Sequence, residues 1–228
     1  MQGSIRAVLA GTVQPLGNTV SGIDKRPVAG PQRVEAQGLV NDRQADLRAH
    51  GGVDKALHCY AWSHYASFWQ ACLPGHALLA RPGAFGENLS IDGLDEQTVC
   101  IGDRWRVGSV LLEVTQGRQP CFKLNLRFGV ADMAHRVQDS LHAGWYLRVL
   151  EAGELAAGDR IEVAARPFPE WTVARLLRVI RDRHTQPDEV EPLLALPLTP
   201  SWRRLFERRL RTGRVEDWWP RMEPPGAG

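Results

Sequence analysis

Apolar and polar residues alternate along much of the chain's first part, which predicts a mainly β domain over residues 1–165. The opening GSIRAVLAGTV is a predicted strand, and KALHCYA alternates between two faces as a second one. AFGENLSI, TVCIGDRWRVG and VLLEVTQG follow, with Gly108-Ser109 as a hairpin turn, and GWYLRVLEAG and GDRIEVAA close the domain.

Two segments of this domain change to the period of a helix. The first places apolar side chains at positions i, i+3, i+4 and i+7, which are Tyr65, Phe68, Trp69 and Cys72. The second stripe consists of Val130, Ala134, Val137 and Leu141. Both segments are therefore predicted helices that lie against the β core.

From Arg166 onward the pattern becomes helical, which predicts a small separate domain over residues 166–228. RPFPEWTVARLLRVIRDRH, PDEVEPLLAL and TPSWRRLFERRLRTG are three predicted short helices. Thr172 and Thr199 are the expected N-caps and Gly213 the expected end of the last helix, followed by a loose EPPGAG tail.

The composition is that of an ordinary globular protein, with 43% apolar and 24% charged residues in a chain of 228. A net charge of +2 gives no reason to expect nucleic acid or an anionic membrane as a partner. We find neither a secretory signal nor a membrane-spanning run, so we expect a cytoplasmic protein with reduced thiols.

The cysteines separate into two kinds. Cys59, Cys72 and Cys100 fall at apolar positions, where a free cysteine packs as a small hydrophobe. No pair has the CxxC spacing of a zinc site. Cys121 instead lies in QGRQPCFKLN, a loop-like stretch with cationic neighbours, and cations favour the reactive thiolate. An inert loop cysteine is the alternative.

Two further loops carry polar groups. HGGVDKA holds His50, the pair Gly51-Gly52 and Lys55, and FGENLS holds Asn88 beside a glutamate. Adjacent glycines allow the backbone to approach a ligand closely, or they form a turn. Each stretch alone can equally be an ordinary polar turn.

Four ordered stretches, AHGGVDKALHCY, FGENLSIDGL, IGDRWRVG and TQGRQPCFKLN, together resemble the MOSC domain, named for the C-terminal domain of molybdenum cofactor sulfurases. The similarity is strongest to the stand-alone bacterial branch with a C-terminal 3-alpha domain. It implies a β-barrel-like fold that binds molybdenum cofactor (molybdopterin), with Cys121 as the molybdenum ligand or a sulfur carrier.

The resemblance also gives the surrounding residues roles. The cofactor carries a phosphate, for which Arg118, Lys55 and Lys123 are the expected cations. His50 or His58 is the expected proton donor or cofactor contact, although His58 can also be a satisfied barrel histidine.

Smaller roles follow for the two polar loops. Asn88 is expected to orient the pterin, with Gly51 and Gly52 beside the cofactor. Glu87 can instead hold its loop together, and Asp54 is expected to pair with the neighbouring lysine or to cap a turn.

The implied function is reduction of N-hydroxylated compounds, such as the purine analogue 6-hydroxylaminopurine, as a detoxification. A carrier of cofactor or sulfur and a cysteine hydrolase are the alternatives. The sequence has neither a Rossmann fingerprint nor iron–sulfur spacing, so a separate electron-donor protein is expected. Its candidate docking surface, or else simply a solvated face, contains Arg203, Arg204, Arg208, Arg209, Arg211 and Arg214.

Overall fold

The structure is a computed structural model that describes residues 2–45 and 51–223. Within those residues the strands, in chain order, are β1 Gly3–Ala10, β2 Gln14–Leu16, β3 Thr19–Ser21, β4 Arg26–Pro27, β5 Gln32–Glu35, β6 Gly38–Leu39, β7 Leu57–Ala61, β8 Leu89–Asp92, β9 Arg104–Val107, β10 Val110–Gly117, β11 Trp145–Glu151, β12 Gly153–Leu155 and β13 Arg160–Ala165. The α-helices are α1 Gln70–Cys72, α2 Lys123–Phe128, α3 Met133–Ser140, α4 Val173–Arg181, α5 Pro187–Val190, α6 Pro200–Thr212 and α7 Trp219–Met222.

Seven strands close into a barrel. The order is β13-β9-β10-β11-β7-β8-β1, and β1 pairs back with β13 through Gly3 and Ile161. All neighbours are antiparallel except β7 and β8, which are parallel. β4 pairs with the far end of β1, while β12-β5-β6 and β2-β3 form two small sheets. Closure leaves the barrel strands with few unpaired edges.

The barrel encloses the main core. Alternate residues of β10, which are Val110, Leu112 and Val114, are fully buried beside Trp105 and Trp145. All five residues of β7 are buried, because its second face is covered as well. His58 and Tyr60 therefore lie in the interior although they alternate with the apolar set.

Of the two predicted stripes, the second is confirmed and the first is only partly correct. Ala134, Val137 and Leu141 are buried on and beside α3. In the first stripe Cys72 is exposed, contrary to the prediction that it packs in the core. A π-helix, Tyr65–Trp69, precedes it, and its wider turn rotates the i+7 position away from the buried face.

The C-terminal helices form as their caps predict. The side chains of Thr172 and Thr199 accept hydrogen bonds from the backbone N–H groups of Arg175 and Trp202. Gly213 ends α6 with φ 61°, a left-handed conformation that glycine adopts without strain. The sequence did not predict α7, and residues 224–228 of the expected loose tail lie outside the described residues.

The predicted fold class is confirmed: a mainly β, barrel-like part is followed by a small helical part. The helical part packs against the end of β10, where Gly117 approaches Leu177 so closely that a Cβ would lie 2.6 Å from its side chain. At the same point the Thr199 hydroxyl donates a hydrogen bond to Gln116 Oε1 at 2.7 Å. This junction leads directly into the loop that contains Cys121.

Candidate functional site

Cys121 lies in the connection between β10 and α2 and is only 8% exposed. Its loop is fixed on both sides, because the Arg118 backbone N–H donates to Gly144 O at 2.9 Å and that of Leu124 to Cys121 O at 2.9 Å. Cys59 and Cys100 are buried, which confirms their packing role. Cys121, in contrast, lines a cavity together with several positively charged side chains.

A cavity of about 570 Å³ opens beside this loop, and we call it the barrel cavity. Its walls come from segments far apart in the chain. They include Ser21, Lys25, Lys55, His58, Asn88, Arg118, Cys121, Lys123 and Tyr146. Four of these side chains carry positive charge, so the cavity suits an anionic ligand.

Arg118 is the most informative of these cations. It is 6% exposed, and its Nη1 atom is buried without a hydrogen-bond partner among the described residues. A buried, unsatisfied guanidinium nitrogen is costly, since desolvation removes its water without replacing it. An oxyanion placed in the barrel cavity would satisfy it with the bidentate geometry that arginine favours.

Lys25 forms a buried ion pair with Asp42 at the same wall. Asp42 also accepts hydrogen bonds from Gly11 N at 2.9 Å and from Asn88 Nδ2 at 3.0 Å. Burial lowers the pKa of Lys25, and the charge of Asp42 opposes that shift. Sequence reasoning missed both residues.

His58 is 4% exposed, and burial, reinforced by the positive charge of Arg118, lowers its pKa well below the ordinary value. The ring is therefore neutral near pH 7. Its Nε2 lies 3.4 Å from Ala143 O. The ring centre lies 5.1 Å from that of Tyr146.

Asn88 lines the barrel cavity but is already engaged within the protein. Its Oδ1 accepts from His58 N at 3.1 Å, and its Nδ2 donates to Leu9 O and to Asp42. It ties β1, β7 and the buried ion pair together, and its contact with a pterin stays a prediction. Glu87 holds its own loop together, which was the alternative expectation, because its carboxylate accepts from Gly83 N at 2.8 Å and from Phe85 N at 3.2 Å.

The HGGVDKA stretch is described from Gly51 onward, so the predicted catalytic His50 lies outside the described residues. Gly52 has φ 89° and precedes a short 3-10 helix, Val53–Lys55, which carries Lys55 to the cavity. Asp54 pairs with Arg148 at 3.1 Å and not with the neighbouring lysine, which corrects the expectation.

A second cavity, of about 1130 Å³, also borders Cys121, and we call it the C-terminal cavity. It shares Lys55, Cys121, Lys123 and Tyr146 with the barrel cavity. Its other walls are Thr19, Gln116, Gln119, Phe122, Pro220 and Arg221. Cys121 therefore stands at the boundary between two spaces.

Across residues 2–45 and 51–223, no group of three or more His, Cys, Asp or Glu side chains is arranged to hold a metal ion. A thiolate is a soft donor, but a single one does not hold a metal by itself. A metal at Cys121 needs further ligands that a bound group brings with it.

Family models match both parts of the chain. The model described as MOSC domain matches residues 46–162, and the one described as YiiM-like, 3-alpha helix domain matches residues 171–213. The chain belongs to the MOSC domain family. The two matches fall on either side of the predicted boundary between residues 165 and 166, which itself stays a prediction.

Relatives of this MOSC protein include two bacterial proteins of similar length. Protein YiiM of Escherichia coli is 36% identical over 203 residues, which are 89% of this chain and 90% of that protein. Uncharacterized protein YflK of Bacillus subtilis is 37% identical over 193 residues, 83% and 84%. A protein of Gibberella moniliformis named Reductase is 38% identical over 197 residues, but this chain spans only 35% of it.

Solved structures agree with this assignment. The crystal structure of YiiM from Escherichia coli has a TM-score of 0.83 at 31% identity, covering 98% of this chain and 100% of that one. YiiM from Geobacillus stearothermophilus has a TM-score of 0.77 at 29% identity, covering 91% and 99%.

The structure brings together most of the site residues predicted for this MOSC chain. Lys55, His58, Arg118 and Lys123 all line the barrel cavity with Cys121. The cavity residues that were not predicted differ in whether the sequence could have revealed them. Lys25, Lys55 and Lys123 are the only three lysines among 28 basic residues, so the rarity of lysine is a signal that could have pointed to Lys25. Nothing in the sequence singled out Asp42 or Tyr146.

Proposed function

We propose that the protein is a molybdenum-cofactor-binding oxidoreductase that reduces N-hydroxylated compounds, including N-hydroxylated purine analogues, with Cys121 as the molybdenum ligand. One observation carries the proposal. Cys121 borders a cationic cavity in which Arg118 Nη1 is buried and lacks a partner among the described residues. Family membership and the name Reductase of one relative support it, although this chain spans only 35% of that relative.

The residues present fit this cofactor. Its phosphate requires cations, which Arg118, Lys55 and Lys123 supply at the cavity wall. Its dithiolene supplies the metal ligands that the described residues lack, so Cys121 need add only one soft donor. When bound, the cofactor would supply two-electron redox chemistry at molybdenum.

The chain's own groups would hold charge and protons around that centre. His58 is neutral near pH 7 and is therefore a weak acid. Tyr146 lines both cavities, and burial raises the pKa of its phenol, which therefore keeps its proton. We assign Tyr146 Oη, ahead of His58, as the proton donor toward the departing hydroxyl group.

Electrons would come from a separate protein. The candidate docking surface is smaller than the sequence suggested, because Arg209 is buried and paired with Glu216 at 2.8 Å. Arg203 donates to the carbonyl oxygens of Leu194 and Leu196. The exposed members are Arg204, Arg208, Arg211 and Arg214.

The test is purification from cells able and unable to make molybdenum cofactor, followed by metal analysis and an assay of N-hydroxylated purine reduction with a supplied reductant. Molybdenum and turnover are expected only in the first preparation. Molybdenum without turnover under several reductants would favour the alternative, a carrier of cofactor or sulfur. Absence of molybdenum from both preparations would contradict the proposal.

A further inference from the structure

The C-terminal cavity is built jointly by the barrel and the last helix. Barrel-side walls are Tyr146 and the loop from Gln119 to Phe122, and α7 contributes Arg221. The two parts are bonded to each other across the cavity: Phe122 N donates to Arg221 O at 2.8 Å, and Arg221 Nη1 donates to Pro120 O. These hydrogen bonds fix the two walls of the cavity relative to each other.

Two cations of this cavity, Arg221 and Lys123, donate hydrogen bonds to neutral groups. Arg221 Nη2 donates to the amide oxygen of Gln138 at 2.7 Å, and Lys123 Nζ donates to Val20 O at 3.0 Å. No carboxylate lines the cavity among the described residues. Neutral dipoles thus solvate these two positive charges, which set a positive potential in the space next to Cys121.

Aromatic and amide groups complete the walls. Phe122 and Tyr146 offer ring surfaces, and Gln119 is half-buried at the rim with an amide. Such walls suit a flat molecule with hydrogen-bonding edges. They border Cys121 together with walls that the barrel cavity does not have, so a molecule here lies beside the same thiol as a ligand of the barrel cavity.

We propose that the C-terminal cavity is the substrate site and that Arg221 and Lys123 make it select flat neutral or anionic N-hydroxylated compounds over cationic ones. The inference rests on the proposed function for its reaction, but the charge selection belongs to the cavity itself and can be measured without turnover.

The first measurement is the rate at which charged thiol reagents modify Cys121. A Cys72→Ser background removes the exposed thiol, Cys59 and Cys100 are buried, and a Cys121→Ala variant gives the residual rate. Methanethiosulfonates carrying either a sulfonate or a trimethylammonium group are compared. The thiolate attacks the reagent's sulfenyl sulfur, forms a disulfide and releases methanesulfinate, so both reagents undergo the same reaction.

Lys123→Gln and Arg221→Gln should each lower the ratio of anionic to cationic reagent rates about threefold or more, since each removes a positive charge from the cavity that Cys121 lines. Arg33→Gln is the matched control, because Arg33 is an exposed arginine of β5 paired with Glu35, and the ratio should not change. Arg221 also fixes the Cys121 loop, so Lys123→Gln provides the test if Arg221→Gln lowers the melting temperature. Equal ratios in all variants would overturn the proposal.

The second measurement uses steady-state kinetics with matched neutral and cationic N-hydroxylated amidines. Wild type should prefer the neutral compound in kcat/KM, and Lys123→Gln should reduce that preference about threefold. An unchanged preference would refute charge selection. If wild type reduces neither compound, the proposed function fails, while the reagent ratios still decide whether the cavity selects by charge.

Discussion

At the scale of single residues, two buried cysteines, Cys100 and Cys121, have different surroundings. Burial and the carboxylate of Asp103 raise the pKa of the Cys100 thiol, and its Sγ donates to Pro169 O at 3.4 Å. Cys121 instead shares its cavities with Arg118 and Lys123. Charge of the neighbours, more than burial, separates the packing cysteine from the proposed ligand.

Replacing Cys121 by Ala should therefore abolish reduction of N-hydroxylated substrate with little loss of fold. Losing an outer-shell partner of a metal typically costs 10- to 100-fold, so losing the ligand should cost about 100-fold or more in activity. Cys100→Ala is the control and should keep activity. Measuring turnover and the thermal unfolding temperature of each variant distinguishes loss of the metal ligand from loss of the fold. An active Cys121→Ala enzyme would refute the assigned role.

The ion pair of Lys25 and Asp42 leads to a stability prediction. Both side chains are under a tenth exposed, so Asp42→Asn leaves a buried lysine without its counter-charge. The free energy of unfolding should fall by about 3–5 kcal/mol in urea titrations. The double variant Lys25→Met, Asp42→Leu should recover only part of this loss, because Gly11 N and Asn88 Nδ2 still lose their acceptor. A fully stable Asp42→Asn protein would contradict the predicted role of the ion pair.

How far the sequence predicts these residues depends on what they contact. Lys55, Arg118 and Lys123 were predictable because scarce or clustered cations beside a cysteine have a chemical meaning on their own. Asp42 and Tyr146 acquire their roles only through partners distant in the chain, so no local pattern marks them.

At the scale of elements, the helical part braces the Cys121 loop from two directions. Thr199, the N-cap of α6, donates to Gln116 before the loop. α7 holds the other side, since Arg221 bonds to Pro120 and Phe122, and Met222 O accepts from Asn125 Nδ2 at 3.2 Å.

Deleting residues 219–228, which removes α7 but keeps Glu216 beside the buried Arg209, should loosen this loop without opening the barrel. The Phe122 amide loses its acceptor, so its hydrogen exchange should accelerate about tenfold, the equivalent of about 1.4 kcal/mol. Amides of β10 and β11 should exchange at their former rates. Deletion of 224–228 alone retains Arg221 and is the control. Unchanged exchange at Phe122 would show that α7 does not brace the loop.

Elements could be predicted where local rules determine them. Alternation predicted β1, β7 and β13, and threonine caps predicted α4 and α6. The outward turn of Cys72 could not be predicted, because a π-helix depends on tertiary packing. α7 was missed because four residues carry no period, and their fold is set by contacts with the Cys121 loop.

At the scale of the whole molecule, barrel closure assembles the site. β1, near the start of the chain, pairs with β13, which lies more than 150 residues later, and β7 lies between β8 and β11. This arrangement brings Lys25, His58, Asn88 and Arg118 to one cavity. None of the described helices is long and apolar enough to cross a membrane.

Stability of the whole fold should depend on pH through His58. Its pKa in the folded protein lies well below 6.5, whereas the unfolded chain has the ordinary value. Below about pH 6.5 the unfolded chain takes up a proton that the native state does not. The free energy of unfolding should therefore fall as pH is lowered, by up to about 1.4 kcal/mol per pH unit.

A His58→Gln variant should reduce this slope by about one proton's contribution in urea unfolding series between pH 7 and 5. Burial also lowers the pKa of His142, so part of the slope should remain. A variant with the wild-type slope would mean that His58 is protonated in the native protein.

The central claim is that molybdenum binds beside Arg118 with Cys121 as a ligand. X-ray absorption at the molybdenum edge tests it most directly, with wild type compared with Cys121→Ser purified from cells that make the cofactor. The account predicts about one molybdenum per chain in wild type and one fewer sulfur neighbour at the metal in the variant. Identical sulfur coordination in both proteins, or no molybdenum in wild type, would contradict it.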